Sequence, residues 1–144
     1  MDIEAALRGG LDGWQVRRRP ASSDALASLA ALAPKGLPSD YLDLLAFGNG
    51  GEGNLGVQPG WFQLWRAEDV VESNKGYQVE VFLPGFFGFG SNGGVELLAF
   101  DTRDGVPWAI VMVPFIPMEA DHAVVISKDF ADFIRALGHV CPDA

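Results

Sequence analysis

The sequence predicts an α+β fold in a single domain, with a mixed, mostly antiparallel sheet packed against N-terminal helices and a C-terminal helix. Three observations support this prediction. The chain has 144 residues, of which 49% are hydrophobic and 20% charged, and this is enough for one buried core. Clear helical periodicity lies towards the two ends, and short apolar runs separated by turn residues fill the middle. We place the domain at residues 1–144 and its core at about residues 25–138.

Two helices are predicted in the first third of the chain. The first begins at Ser22, since Ser22–Asp24 supply N-cap side chains, and it ends at Pro34. The second begins at Pro38, which suits the first turn because its missing N–H would have no partner there. It ends at the glycine-rich run 48–51.

The next segments predict short elements separated by glycine. Residues 61–65, WFQLW, predict a strand because aromatic side chains favour a pleated, half-buried surface. Residues 66–74 predict a short helical turn, and residues 77–83, YQVEVFL, a strand or an irregular segment. Glycines cluster at 48–60 and at 85–94, and we interpret both clusters as loops.

The second glycine cluster matches a cofactor-binding pattern, since Gly88, Gly90 and Gly93 have the spacing G-x-G-x-x-G. In a dinucleotide site the third glycine opens a helix that faces the pyrophosphate. Here VELLAF follows, then the turn residues 101–105, then VPWAIVMVPF, which together predict a β-hairpin. A crossover helix has no room in these residues. The glycines are therefore predicted to turn the chain into a sheet, and no cofactor is expected.

The last third predicts a covered strand, an end strand and a helix. The second hairpin strand, which contains Trp108, is apolar on both faces, as expected of a strand covered on both sides. Residues 122–126 predict the final strand. Ser127 is predicted to cap the last helix, which ends at Gly138. Its apolar stripe has the spacing i, i+3, i+4, i+7 and consists of Phe130, Phe133, Ile134 and Leu137.

The charge distribution limits the partners that this chain is expected to bind. The net charge is −9, and residues 37–144 carry five basic against fifteen acidic side chains. So acidic a body repels nucleic acid and anionic lipid, and we expect neither a nucleic-acid partner nor a membrane. The run Arg17–Arg19 is short and isolated, and it predicts a solvated loop. Because the N-terminus lacks the apolar core of a signal peptide, we expect a cytoplasmic protein.

Residue types that support catalysis or metal binding are sparse. His122 and His139 are too far apart for a paired zinc motif. Cys141, the only cysteine, lies near His139, but at a chain end that is expected to fray. Glu96 shares a predicted strand face with Leu98, and burial there would raise the pKa of its carboxyl. We favour a solvent-facing Glu96 and predict no catalytic or metal-binding residues, with an enzyme that uses Glu96 as an alternative.

The remaining chemistry is a set of aromatic and acidic residues in or beside predicted loops. Large aromatic side chains anchor protein interfaces, and complementary charge steers the encounter. The alternative is that the tryptophans are core residues and that the acids only keep the chain in solution. On the first interpretation, the predicted protein-binding residues are Glu52, Trp61, Trp65, Asp101, Asp104, Glu119 and Asp121.

The order of several landmarks resembles that of the SUKH superfamily, in the branch named after the yeast cell-wall synthesis regulator of the Smi/Knr type. The segment LPSDY at 37–41 is followed by NGG at 49–51, and then by the aromatic strand 61–65. The turn PGFFGFGSNGG at 84–94 precedes VELLAFD, and SKDFADFI begins the closing helix. The resemblance covers roughly residues 25–138. The first 20 residues, with their arginine run, depart from the pattern.

The resemblance implies a single-domain SUKH-like fold and a non-catalytic role. Bacterial members of the superfamily resemble immunity proteins, which bind and neutralise a cognate toxin. Many such toxins are nucleases or deaminases with a basic cleft, so an acidic inhibitor makes physical sense. A regulatory scaffold for endogenous signalling proteins is the alternative implied by the eukaryotic branch. The sequence leaves self-association open.

Overall fold

The computed structural model describes residues 1–142, so residues 143 and 144 of the predicted domain lie outside the described range. Within this range seven strands form one sheet, whose strand order follows the sequence, and every pairing between neighbours is antiparallel. The predicted α+β fold is confirmed. The strands are β1 (Val16–Arg17), β2 (Gly51–Asn54), β3 (Trp61–Leu64), β4 (Phe86–Ser91), β5 (Glu96–Asp101), β6 (Ala109–Pro114) and β7 (Val124–Ser127).

Six α-helices accompany the sheet in the described part of the chain, three before β2 and one after β7. Both helices predicted in the first third are present, and the weakly periodic segment after β3 forms a helix as well. The helices are α1 (Ile3–Leu7), α2 (Ser23–Leu32), α3 (Ser39–Phe47), α4 (Val70–Gly76), α5 (Val79–Phe82) and α6 (Phe130–Ala136). Short 3₁₀ turns lie at Gly10–Gly13 and Ala120–His122.

The larger core lies between one face of the sheet, here called the helical face, and helices that include α3 and α6. Tyr41 of α3 contacts Phe89, Phe100 and Phe130 with ring centroids 5.3–5.9 Å apart. The predicted stripe of α6 is fully buried here, which confirms it. The first residues of the chain join the same core, since Leu7 is buried in it.

The opposite face of the sheet, here called the second face, carries a smaller core. Strand β6 contributes Ile110 to the helical face and Val111 and Val113 to the second face. Its predicted covering on both sides is therefore confirmed. Helix α5 covers part of the second face through Val79. Beyond α5, the strands β2 and β3 leave polar and aromatic side chains at the surface.

The two glycine clusters were expected to be loops, and this expectation is wrong, because their central residues form strands β2 and β4. Glycine is needed in them because neighbouring backbone approaches too closely for a side chain. A Cβ on Gly53 would lie 2.3 Å from the carbonyl oxygen of Gly13, and a Cβ on Gly90 would lie 2.4 Å from that of Gln63. The glycines therefore permit tight strand packing.

The G-x-G-x-x-G stretch forms the hairpin of β4 and β5, as predicted. A β-bulge interrupts the pairing between Gly88 and Gly90, and Asn74 of α4 satisfies the freed backbone. Its Oδ1 accepts from the Gly88 N–H at 2.8 Å, and its Nδ2 donates to the Gly88 carbonyl at 2.9 Å. The turn closes on Asn92, whose Oδ1 accepts from the N–H groups of Gly94 and Glu96. The G-x-G-x-x-G stretch therefore connects two strands and is not followed by a helix.

Several elements differ from the predictions in their bounds, and the final strand, expected at 122–126, lies at Val124–Ser127. Residues 77–83, expected as a strand or irregular, contain the one-turn helix α5, because burial of Val79 and Leu83 follows helical spacing. Ser127 ends β7, and Asp129 caps α6 by accepting from the Asp132 N–H at 2.8 Å. Pro38 lies at the N-cap of α3 rather than in its first turn. Each difference moves a boundary by one or two residues or changes a short segment.

Both chain ends are better ordered than expected. Arg17, predicted in a solvated loop, pairs with Gly51 in the edge strand β1, and its guanidinium lies 4.6 Å from the ring centroid of Phe47. At the other end, the expected fraying at Cys141 is wrong, since this residue is buried. His139 Nε2 donates to the Leu7 carbonyl at 2.9 Å. Contacts between the two ends hold the tail, a tertiary effect that local sequence does not reveal.

Candidate functional site

The candidate site is a surface cluster on the second face, here called the aromatic patch and defined as Trp65, Tyr77, Phe82, Phe115 and Ile116. Trp65 and Phe115 are half-buried against the smaller core, and the other three are exposed. Three of its rings pack in series. Trp65 and Tyr77 are nearly parallel, with ring centroids 6.0 Å apart. The centroids of Tyr77 and Phe115 are 4.6 Å apart, and these two rings are tilted by 31°. The side of this series remains accessible, because Tyr77 is 48% and Ile116 92% exposed. Apolar groups this exposed are candidates for an interface when they are contiguous.

Local structure explains why these side chains are left at the surface. Helix α5 is a single turn that buries Val79 and Leu83, so Phe82 on its other side stays half exposed. The helix begins after Gln78, whose φ of 57° separates it from α4 and leaves Tyr77 at the junction. Ile116 follows β6, at a point where the chain leaves the sheet.

Exposed acidic residues follow the hollow of the aromatic patch along the chain. Tyr77, Phe82, Phe115, Ile116 and Met118 line this hollow, which has a volume of about 250 Å³. Glu119 and Asp121 follow Met118 in sequence, and both are exposed. Glu119 lies 3.9 Å from His122. One end of this acidic segment is therefore attached to a residue that lines the hollow.

A second, polar hollow lies on the other side of Trp65. It has a volume of about 290 Å³, and its lining includes Arg18, Glu52, Gln63, Trp65 and Arg66. Glu52 Oε2 accepts from Gln63 Nε2 at 2.8 Å, which holds the carboxylate on the second face. Trp65 lines this polar hollow and its ring packs on Tyr77, which lines the other hollow. The structure thus brings Glu52 and Trp65 of the predicted set together.

Three predicted binding residues lie apart from this arrangement. Trp61 begins β3 and packs beside the β4–β5 turn, where a Cβ on Gly93 would lie 3.6 Å from its indole. Asp101 and Asp104 lie at the β5–β6 turn, at the other end of that hairpin from Phe115. Arg103 donates to both carboxylate oxygens of Asp101 at 2.9 Å. This hydrogen bonding lowers the pKa of Asp101, so the carboxylate stays ionised, and the adjacent guanidinium offsets its negative charge.

Most of the aromatic patch was missed by reasoning from the sequence. Trp65 was identified, but Tyr77 and Phe82 fell in a segment expected to be a strand or irregular, and Phe115 and Ile116 in the extension of a buried strand. A helical interpretation of 77–83 would have grouped Val79 with Leu83 and left Phe82 uncovered. The position of Phe115 beside Tyr77 had no signal in the sequence, because the contact joins distant segments.

Glu96, the alternative catalytic residue, is partly buried at the start of β5, and this burial raises the pKa of its carboxyl. The side chain shares its strand face with Leu98, as expected. A raised pKa alone defines no reaction centre. Within residues 1–142, no group of three or more His, Cys, Asp or Glu residues is placed to hold a metal ion.

The raised pKa of Glu96 affects the free energy of unfolding. A carboxyl whose pKa is higher in the folded than in the unfolded state destabilises the fold as the pH rises through the folded pKa. A Glu96→Gln variant is therefore expected to unfold at a higher denaturant concentration than wild type at pH 7. Near pH 3.5, where the carboxyl is mostly protonated in both states, the difference should nearly vanish. Urea titrations of both proteins at the two pH values measure this, and an equal effect at both would contradict it.

The fold and the site together define a small α+β domain with one antiparallel sheet and a series of packed aromatic residues at the surface of the second face. None of the helices within residues 1–142 is both long and apolar enough to cross a lipid bilayer. The chain belongs to the SMI1 / KNR4 family (SUKH-1), whose family model matches residues 20–136. A search of curated proteins found no match to this chain.

Proposed function

We propose that this chain is a non-catalytic protein-binding module, an immunity protein that neutralises a cognate bacterial toxin. The resemblance to the immunity branch of its superfamily supports this function, and membership of the family is consistent with it. The mechanism is steric and electrostatic occlusion of the toxin's active site. The producing cell needs this protection in its cytoplasm, which is where we place the protein.

The observation that carries the proposal is the series of rings Trp65, Tyr77 and Phe115 at the surface, in which Tyr77 is exposed and the other two are half-buried. An interface needs a few large side chains that exclude water on contact, and aromatic residues supply the area at low entropic cost. In this series each ring already supports the next, so little ordering remains to be done on binding. Such a preorganised apolar surface favours a protein partner over a small charged ligand.

The charge of the chain favours a basic partner. Glu119 and Asp121 follow Met118, which lines the hollow of the patch, and the whole chain carries a net charge of −9. A toxin that acts on nucleic acid has a basic cleft to hold phosphates, and that cleft is complementary to an acidic margin. The proposed partner is therefore a nuclease or deaminase toxin with a basic cleft.

Growth protection tests the proposal. A candidate toxin domain, taken from a gene adjacent to the gene of this chain, is expressed from an inducible promoter with and without this chain, and growth is followed. Protection by this chain, together with co-purification of the two proteins, is the expected result. A control chain with Tyr77, Phe115 and Ile116 changed to Ser should fold yet fail to protect. If growth stops despite normal levels of this chain, immunity against that toxin is excluded.

Electrostatic steering gives a prediction for the kinetics of binding. The association rate constant with the toxin is expected to fall steeply as salt is added, because added ions screen the attraction. Glu119→Lys combined with Asp121→Lys should lower that constant roughly tenfold at low salt. Stopped-flow fluorescence measures the rate. Glu119→Lys alone is compared with Asp104→Lys as its matched control, because each reverses one charge and Asp104 lies at the other end of the hairpin. An association rate constant independent of salt would exclude steering.

A further inference from the structure

Two asparagines of this chain are followed directly by glycine, and the structure places them in opposite environments. The pairs are Asn49-Gly50 and Asn92-Gly93. An Asn-Gly pair can modify itself, because the glycine nitrogen is close to the side-chain carbonyl carbon of the asparagine and no Cβ hinders its approach. The reaction needs an available amide nitrogen, an activated carbonyl and water, so the local structure decides which pair reacts.

The structure protects Asn49 from this reaction. Its side chain is buried, its Oδ1 accepts from the Ala67 N–H at 2.7 Å, and its Nδ2 donates to Glu68 Oε1 at 2.8 Å. The Gly50 N–H is occupied as well, since it donates to the Gly48 carbonyl at 2.8 Å. Gly50 is itself buried. The leaving group and the nucleophile of this pair are therefore both engaged, and both residues are shielded from water.

Asn92 lies at the tip of the β4–β5 hairpin, where the same groups are arranged for reaction. Its Oδ1 accepts from the N–H groups of Gly94 and Glu96 at 2.9 and 3.0 Å. Attack on the side-chain carbonyl places negative charge on this oxygen, and two preformed N–H donors stabilise that charge. In the described part of the chain, the Nδ2 that must leave makes no hydrogen bond. The carbonyl of Asn92 is therefore activated and its leaving group is free.

The nucleophile, the backbone nitrogen of Gly93, has a proton acceptor beside it. Its N–H donates to Ser91 Oγ at 3.0 Å. The Ser91 hydroxyl donates to Gln63 Oε1 at 3.4 Å, which leaves a lone pair of Oγ for the Gly93 N–H. Gly93 and Gly94 are exposed, so water reaches the tip of the hairpin. All the groups that the reaction needs therefore meet at this turn.

We propose that Asn92 is a self-modification site, at which the β4–β5 hairpin converts the asparagine into aspartyl products without an enzyme. The Gly93 nitrogen bonds to Cγ of Asn92, the Cγ–Nδ2 bond breaks, and Nδ2 leaves as ammonia with the proton that Gly93 loses. The hydrogen bond to Ser91 Oγ draws this proton away from the nitrogen and so favours the attack. Water then opens the cyclic imide. Its addition at Cγ gives an aspartate, and its addition at the backbone carbonyl gives an isoaspartyl residue.

The two products affect the fold differently. An aspartate still accepts from the N–H groups of Gly94 and Glu96, and it adds one negative charge to the chain. An isoaspartyl residue lengthens the backbone at the hairpin tip, next to the pairing of Ser91 with Leu97. The charge and the strand pairing of a molecule therefore change with its age. This proposal goes beyond the proposed function, because it concerns the pure chain and needs no toxin.

Peptide mapping by mass spectrometry tests the proposal on the full chain after incubation in neutral buffer. Trypsin releases residues 76–103, in which Asn92 is the only asparagine, and residues 36–66, which contain Asn49. Asn92 should convert at least about tenfold faster than Asn49, because Asn49 reacts only after local opening of the fold. In concentrated urea the two should convert at similar rates, and Asn92 should react no faster there than in the folded chain.

Two serine variants test the role of the proton acceptor. Ser91→Ala removes the acceptor of the Gly93 N–H and should slow the conversion of Asn92 at least about tenfold. Ser28→Ala is the matched control, because Ser28 is an exposed serine of α2, and it should leave the rate unchanged. Circular dichroism should show that both variants fold. Equal rates for the two variants would overturn the proposal, as would equal rates for Asn92 and Asn49 in the folded chain or a faster reaction of Asn92 in urea.

Discussion

A Tyr77→Ala variant is expected to bind the cognate toxin at least about 30-fold more weakly than wild type. Tyr77 is the central ring of the series, with Trp65 on one side and Phe115 on the other. Removal of the Tyr77 ring deletes one contact surface. It also removes the packing support of the two neighbouring rings, Trp65 and Phe115. Central aromatic residues of interfaces typically contribute 2 kcal/mol or more, which corresponds to this change in the dissociation constant.

Isothermal titration or biolayer interferometry measures the affinity, and thermal unfolding shows whether the variant is folded. Tyr77→Phe keeps the ring and should bind within about threefold of wild type. Leu32→Ala removes an exposed apolar side chain at the end of α2, outside the patch, and serves as the control for apolar loss. If Tyr77→Ala and Leu32→Ala bind equally well, the aromatic patch is not the anchor of the interface.

A Gly90→Ala variant is expected to lose about 2–3 kcal/mol of the free energy of unfolding, which is the usual size of an overpacking effect. The added Cβ would lie 2.4 Å from the Gln63 carbonyl oxygen, and this contact is with backbone that cannot rotate away. Either β3 or β4 must shift, and β4 is buried along its whole length. Urea denaturation followed by tryptophan fluorescence measures the loss.

Gly94 provides a matched control in the same glycine-rich stretch. A Cβ there meets only Asn92 Oδ1, at an ordinary 3.6 Å, so Gly94→Ala should change stability by less than about 0.5 kcal/mol. The difference between the two variants tests whether Gly90 is needed for strand packing. If the glycines served phosphate binding instead, their replacement would affect a ligand and not the stability of the fold. Equal stability of Gly90→Ala and Gly94→Ala would contradict the packing role of Gly90.

Particular elements show how far the sequence predicts the fold. The stripe of α6 and the β5–β6 hairpin were predicted because their patterns are local and strongly periodic. Strand β2 was missed because Gly51 and Gly53 suggest a loop. In the structure these glycines are needed because β1 and the 3₁₀ turn Gly10–Gly13 pass too close to β2 for a side chain to fit. Composition alone cannot distinguish a glycine that bends the chain from one that makes room.

The candidate site was predicted less completely than the fold. Glu52 and Trp65 lie on the predicted surface, but Asp101 is held by Arg103, a contact at short sequence range that turn chemistry could have suggested. For Tyr77 and Phe115, no local pattern in the sequence indicated that their rings would meet at the surface. Exposure of a large side chain depends on which distant element covers it, and the sequence does not state that.

By itself, the sequence determined the α+β class, the hairpin in place of a phosphate loop, and the acidic charge. These follow from periodicity, turn residues and composition, all of which act over a few neighbouring positions. Only the tertiary structure decided that Trp65, Tyr77 and Phe115 pack in series at the surface and that the edge strand β7 leaves Val124 and Val125 exposed. Both depend on which segments pack together and which face stays uncovered, and that is settled by the free energy of the whole chain.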